Sequence, residues 1–500
     1  MRTKKSARNF IISVLLTTVI ALIGLVKSKM FLVYLGDEQT GLYQLFSQLY
    51  SYISLVDAGL TGSLLYELYK PISQRDYKKI NSILKGAKRF FNVIGLIILI
   101  IGILLSFKLN FFINDTNVSM KYIQLSFIMF MIASTLNYLV TARKTLFEAE
   151  QNLYIVYLVV YGTMILKSIM EIILVIKGYK LFSLMIVFII TSLIQNFMIY
   201  FVSKKTHKYI DNNVEPDTSF VKQTKNLIFK KVAGLVFSNT DVLLLSKFIG
   251  PSSIVIYTNY NYIMTSLYNI IIRLESSSLS SIGNLLVSEK EKAKKVFLEY
   301  NALCYYIASL LFTPLLFCIN PFIDIYYGNK YVLPIIGSLS VVLILFIKII
   351  IMSLESFIHA LGYFDKIKTC AVIEAITNLV LSLILLFKMG ISGVLLATVL
   401  SYFVGTLNMY PRILNKYYFK DNKINYYKQS VKLIIGNGFS IIIIGVLYKI
   451  FPISNIVAWF IFGVISFIIN FVVITLYFKL VKEDLFMNRI KELLLKKIKK

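Results

Sequence analysis

Cysteine is almost absent from this 500-residue chain. Cys304, Cys318 and Cys370 stand alone in or near apolar runs, so neither a disulfide framework nor a metal-binding cysteine spacing exists. Histidine is scarcer still. His207 and His359 are far apart, and without an H-E-x-x-H or paired Cys–His arrangement no metal site is expected. No G-x-x-x-x-G-K-[ST] occurs, which excludes ATP hydrolysis by this chain, and no other cofactor signature is present. Acidic residues are outnumbered, 25 against 53 Lys and Arg, for a net charge of +28. Proline is limited to eight positions, mostly near the ends of apolar runs; Pro314 is the exception and predicts a kink. The single tryptophan is Trp459, which leaves 34 tyrosines as the interfacial anchors.

What the chain has is hydrocarbon. Mean hydropathy is +0.74 and 57% of residues are hydrophobic, far outside the range of soluble proteins. About fourteen apolar runs are long enough to cross a bilayer, each needing roughly 20 residues. They fall at 10–35, 41–66, 90–107, 120–142, 152–176, 181–202, 228–249, 254–283, 297–319, 332–358, 369–387, 391–411, 431–449 and 455–478. The expected fold is therefore an all-α polytopic membrane protein. The first run follows a charged start but lacks a cleavage signature, so it reads as an uncleaved helix.

The connections alternate in charge. With Lys230, Lys231 and Lys449 counted with the connections they adjoin, 39 basic residues fall at the N-terminal tail and on one side, 6 on the other, and the other eight within or at the edge of spans. The positive-inside rule then places both termini in the cytoplasm. The basic segments are short and each abuts a span, which argues against nucleic acid as a partner and for membrane lipid. Residues 481–500 form a basic amphipathic tail suited to the cytoplasmic membrane surface. The opposite connections hold only about 3–13 residues, too little polar volume for a membrane-embedded glycosyltransferase or ligase. That points to a transporter rather than an enzyme.

The chain also echoes itself. VYLGDEQTGLYQLF around Gly36 matches SKFIGPSSIVIYTNY around Gly250, each with a tyrosine seven residues after the glycine, Tyr43 and Tyr257. ISQRDYKKI resembles VSEKEKAKKV, and EIILVIKGYKLFSLMI resembles LSLILLFKMGISGVLLA. All three spacings are about 211–215 residues. A parallel repeat follows, with an N-lobe at 1–203, a cytoplasmic linker at 204–225, a C-lobe at 226–411, two further helices at 412–480 and the tail at 481–500. Transporters built this way place the substrate path between the lobes.

Charges within spans cost roughly 2.5–3.5 kcal/mol each, so they face water or one another. Lys27 lies nine residues before Gly36, about 13 Å below the outer boundary at 1.5 Å per residue, and is expected to face a central cavity. Arg273 sits in a helix too rich in Asn and Ser to face lipid all round, and joins it. Lys348 and Glu355 are seven apart on one face and fit either a cavity role or a structural pair. Lys167 and Glu171, at i,i+4, are expected to neutralise each other. Asp57, in LVDAGLTG, and Asp241, which the repeat aligns with Lys27, are candidates with Glu355 for a gate or ion-coupling role.

Several segments together resemble a known family. YELYKPISQRDYKKINSI, TDVLLLSKFIGPSSIVIYTNYNYI, SSIGNLL, NPFIDIYYG and LGYFDKIKTCAVIEAITNLVLSLILLFKMGISGVLLATVLS are similar to the polysaccharide-transporter (Wzx-like) branch of the multidrug/oligosaccharidyl-lipid/polysaccharide (MOP) superfamily, over about 24–411. The resemblance implies two six-helix lobes plus two C-terminal helices in the bacterial cytoplasmic membrane. It implies alternating-access flipping of undecaprenyl-diphosphate-linked oligosaccharide for surface polysaccharide assembly. It makes a polysaccharide polymerase a candidate partner and H⁺ or Na⁺ a candidate coupling ion. Basic residues in the first and eighth helices are typical of that branch, and Lys27 and Arg273 occupy those helices. The alternative of the same fold is an ion-coupled multidrug exporter, whose first helix carries a carboxylate; here that helix has lysines and no acid.

Overall fold

The structure is a computed structural model that describes residues 2–54, 60–114, 116–211, 213–224, 240–288, 290–420 and 426–486. The side chains of 2–11, 222–224, 273–288, 290–291 and 364 are likewise outside the description. Regular structure among the described residues is helical throughout. Eleven of the helices are long and apolar enough to cross a membrane. The three further expected spans, 41–66, 228–249 and 254–283, each include residues or side chains outside the description. The chain is a multi-pass membrane protein.

Contacts group the chain into two compact units, Met1–Tyr257 and Thr258–Lys500. The first contains α1 (Arg2–Met30), which passes through a π-turn at Phe31–Leu35 to Gly36, then α2 (Asp37–Ile53) and α3 (Leu60–Gln74). After these come α4 (Tyr77–Ser106), α5 (Met120–Thr135), α6 (Thr141–Ala149), α7 (Leu153–Ile176), α8 (Leu181–Thr206) and α9 (240–248). Helix α10 (Pro251–Ser288) runs across the boundary. The second unit continues with α11 (Lys290–Tyr327), α12 (Ile335–Ile350), α13 (Met352–Ala360), α14 (Phe364–Met389), α15 (Ile391–Val404), α16 (Thr406–Leu414), α17 (Tyr426–Ile450) and α18 (Ile456–Leu480).

The repeat is visible inside each unit. In the first, α8 packs on α5 and α7; in the second, α15 packs on α12 and α14. A break splits the fourth expected span of each half: a 3₁₀ turn at Leu136–Val140 separates α5 from α6, and Ile351 separates α12 from α13. The matched glycines Gly36 and Gly250 both have positive φ, 88° and 111°. A side chain would be strained at either.

Exposure follows the logic of a lipid solvent. Leu104, Ile442, Val457 and Phe460 lie outside, whereas the seams mix apolar side chains with small and polar ones. On α18 the buried line is Phe462, Ser466, Asn470, Ile474 and Phe478, at helical spacing. Asn470 donates to the Ser309 and Leu310 carbonyls of α11, and Asn437 of α17 donates to the Ser309 hydroxyl. The amide donors of both residues are thereby satisfied without water.

In the first unit, the described linker residues lie along α4. Asn81 donates to the Tyr209 carbonyl, Ser82 to that of Glu215 and Lys85 to that of Val214. Lys79 pairs with Asp217 at 2.7 Å, and Phe220 is fully buried. At Gly86 any Cβ would collide with the Asp217 carbonyl, so the close approach requires glycine. At its other end the linker is held by buried His207, whose Nε2 lies 2.9 Å from Glu150. Tyr209 donates to the same carboxylate at 2.8 Å. Burial raises the Glu150 pKa, but the hydrogen bonds of His207, Tyr209 and Asn152 outweigh it and hold the pKa below the ordinary value.

Candidate functional site

The densest charged cluster described within the spans lies in the first unit, where α1 packs on α7. Lys27 of α1 makes an ion pair of 2.5 Å with Glu171 of α7. The Lys27 side chain is 18% exposed and Glu171 is wholly buried. Lys167, one turn before Glu171, reaches the same carboxylate at 3.8 Å, and Tyr43 of α2 donates its hydroxyl to Oε1 at 3.3 Å. One carboxylate is therefore shared by two ammonium groups, and the cluster carries one net positive charge.

Aromatic rings complete it. Lys27 lies 4.9 Å from the Phe31 ring centre and 5.0 Å from that of Tyr43. Lys167 stands 3.2 Å from the Phe188 ring. Ring faces attract cations while leaving them able to bind an anion. The π-turn that follows α1 sets Phe31 against Tyr43, edge to face at 5.7 Å.

Spacing alone foresaw the Lys167–Glu171 pair but assigned that carboxylate to a single lysine. Lys27 makes the shorter contact, across 144 residues of sequence. Tyr43 carried the available signal, because the repeat pairs it with Tyr257. Tyr257 also donates to a carboxylate, Oδ2 of the buried Asp241, at 3.0 Å. The matched tyrosines thus do the same work in both halves. The carboxylate comes from α7 in the first and from α9 itself in the second.

The other expected residues are distributed as follows. Lys348 sits in the last turn of α12 with its ammonium 5.7 Å from the Tyr268 ring, and Glu355 begins the short α13 beyond the Ile351 break. Tyr402 and Tyr410 are in electrostatic range of both Glu355 and Glu374. Glu374, which the site reading did not single out, is buried on α14 and accepts from the Thr406 amide at 2.8 Å and its hydroxyl at 2.6 Å. Asp57 lies outside the described residues. Arg273 falls on α10, but its side chain is outside the description, so its expected convergence with Lys27 stays an expectation. Among the described residues no cluster of His, Cys, Asp and Glu could hold a metal ion.

No protein-family model matches the sequence, and no curated protein matches it significantly. Solved structures do. An inward-facing multidrug-resistance MATE-family transporter of the MOP superfamily superposes with TM-score 0.67 at 14% identity, covering 81% of this chain and 99% of its own. The lipid II flippase MurJ, in an inward closed conformation, superposes with TM-score 0.67 at 16% identity, covering 94% of this chain and 99% of its own. A eukaryotic MATE transporter gives 0.57 at 12% identity, covering 86% of this chain and 98% of its own. At these identities the likeness is one of architecture, and the chain has the helical fold shared by the MATE transporters and MurJ.

Proposed function

We propose that this protein is a flippase for undecaprenyl-diphosphate-linked oligosaccharide in the bacterial cytoplasmic membrane, supplying surface polysaccharide assembly. The observation that carries this reading is the net-positive Lys27–Glu171–Lys167 cluster on a first helix that has no acid. A diphosphate must cross roughly 30 Å of hydrocarbon, where charge interactions are far less screened than in water. Lys27 is held ready by Glu171, and an arriving diphosphate exchanges with that carboxylate. Arg273 and Lys348 supply further positive charge. Asp57, Asp241 and Glu355 serve gating or coupling to H⁺ or Na⁺. The MurJ structure spans more of this chain than the MATE transporters do, by about the size of the last two helices.

A second reading has its own support. The buried carboxylates Asp241 and Glu374 suit ion-coupled export of cationic drugs on the same fold. One experiment separates the two. In cells carrying Lys27→Ala and Arg273→Ala together, lipid-linked precursor should accumulate on the inner leaflet while the protein level in the membrane is unchanged. Normal surface glycan in that double variant would overturn the cationic mechanism. Efflux of cationic dyes that depends on Asp241 or Glu374 would favour the exporter.

A further inference from the structure

The last two helices lie outside the repeat, and at one end they enclose a second charged site. The start of α11, the start of α17 and the turn after α18 surround a pocket of about 470 Å³. Lys295, Lys428, Lys432 and Lys482 line it, against Glu299 and Glu483. Its floor is a buried polar chain. Ser353 donates to Asn301, Asn301 to Gln429, and Gln429 to Glu483 at 2.7 Å. Lys432 closes the chain on Glu483 at 3.1 Å. Lys432 thereby offsets the Glu483 charge at one oxygen, and the Gln429 amide donates to the other. Among the described residues Lys295, Lys428 and Lys482 have no ion-pair partner.

Two features show what such a pocket accepts. Lys482 terminates α18 with φ 59°, the left-handed position that glycine usually fills. The strained backbone turns Glu483 back onto Gln429 and keeps a cation at the pocket mouth. Leu485, in the lining, is 50% exposed, and close by in sequence to the lining residues Lys482 and Lys432, Leu480 is 80% exposed and Val431 61%. The opposite end of the same helices has a pocket too, but there the charges are one Lys449 and one Asp324. Excess positive charge beside lipid-facing surface is confined to the end that the basic connections assign to the cytoplasm.

We infer that this pocket binds the headgroup of an anionic phospholipid, with the acyl chains lying along Val431, Leu480 and Leu485. A phosphate-bearing headgroup meets Lys295, Lys428 and Lys482, and basic pockets between helices on the cytoplasmic side bind such headgroups. A soluble anion would meet the same lysines but gain nothing from those apolar side chains. The bound lipid would pin α17 and α18 to α11, independently of the substrate cluster in the first unit.

The test uses the full chain in vesicles, with Trp459→Phe and Leu485→Trp so that the reporter tryptophan sits at the pocket. Quenching by brominated phosphatidylglycerol is compared with quenching by brominated phosphatidylcholine. The expected preference for phosphatidylglycerol is about tenfold, falling toward one when Lys295, Lys428 and Lys482 are all changed to Gln. In the unsubstituted chain, where Trp459 at the far end of α18 is the reporter, no such preference should appear. Equal quenching by both lipids with the lysines intact overturns the proposal, whatever the variants do. So does loss of the preference on adding 10 mM inorganic phosphate at matched ionic strength, which would assign the pocket to a soluble anion.

Discussion

Replacing Glu171 with Gln is the most informative single change to the substrate cluster. Glu171 is the one acid among Lys27 at 2.5 Å, Lys167 at 3.8 Å and the Tyr43 hydroxyl at 3.3 Å. Glu171→Gln leaves two largely buried ammonium groups facing a neutral amide. Removing one partner of a buried pair costs about 3–5 kcal/mol, because the remaining charge is uncompensated. Lys27→Gln is a different perturbation, since Lys167 remains to neutralise Glu171. That loss should be nearer about 1–2 kcal/mol, in the range of a charged hydrogen bond. The double variant leaves Lys167 as the one charge and should be less unstable than the sum of the singles. The assay is a double-mutant cycle on heat unfolding of the protein in lipid nanodiscs, all four proteins at one scan rate. Strict additivity, or Lys27→Gln as damaging as Glu171→Gln, would refute the shared-carboxylate reasoning.

Other outcomes follow from the same geometry. Lys27→Arg should retain part of the flipping that Lys27→Ala loses, since charge survives while its contact with Glu171 changes; equal loss in a precursor-accumulation assay would mean that geometry, not charge, decides. Gly86→Val should push the linker off α4 and speed protease cleavage between residues 207 and 221 by roughly tenfold or more, read on gels of the intact membrane protein. Acid should loosen the same strap. Glu150 and Asp217 both have depressed pKa values in the fold, Asp217 through its hydrogen bond from Lys79, so the stability they contribute is present above their unfolded values and is lost as pH falls through their folded values. Pepsin sensitivity of the linker should therefore rise below about pH 4, and Glu150→Gln should flatten that rise. A cysteine at position 213 should resist extracytoplasmic labelling in intact cells, against a low background because the three native cysteines are buried; labelling from outside would invert the topology.

Helices and their approximate ends were readable from sequence because hydrocarbon thickness is a one-dimensional constraint. An apolar run either spans it or does not. Orientation is predicted for a similar reason, as basic residues are counted along the chain and need no fold, and the labelling of position 213 tests it. The glycines at 36 and 250 were readable too, since their positive φ terminates a helix locally whatever packs around it. Side-chain partners across helices were not. Whether Lys27 meets Glu171 depends on the rotation of α1 against α7, which no spacing within either helix encodes. The same holds for Glu374 under Thr406 and for the pocket lysines, gathered from the starts of α11 and α17 and the turn after α18. Composition determined that charges in the spans must find partners or water. Only the tertiary structure decided which partners, because that choice is made where helices already formed pack against one another.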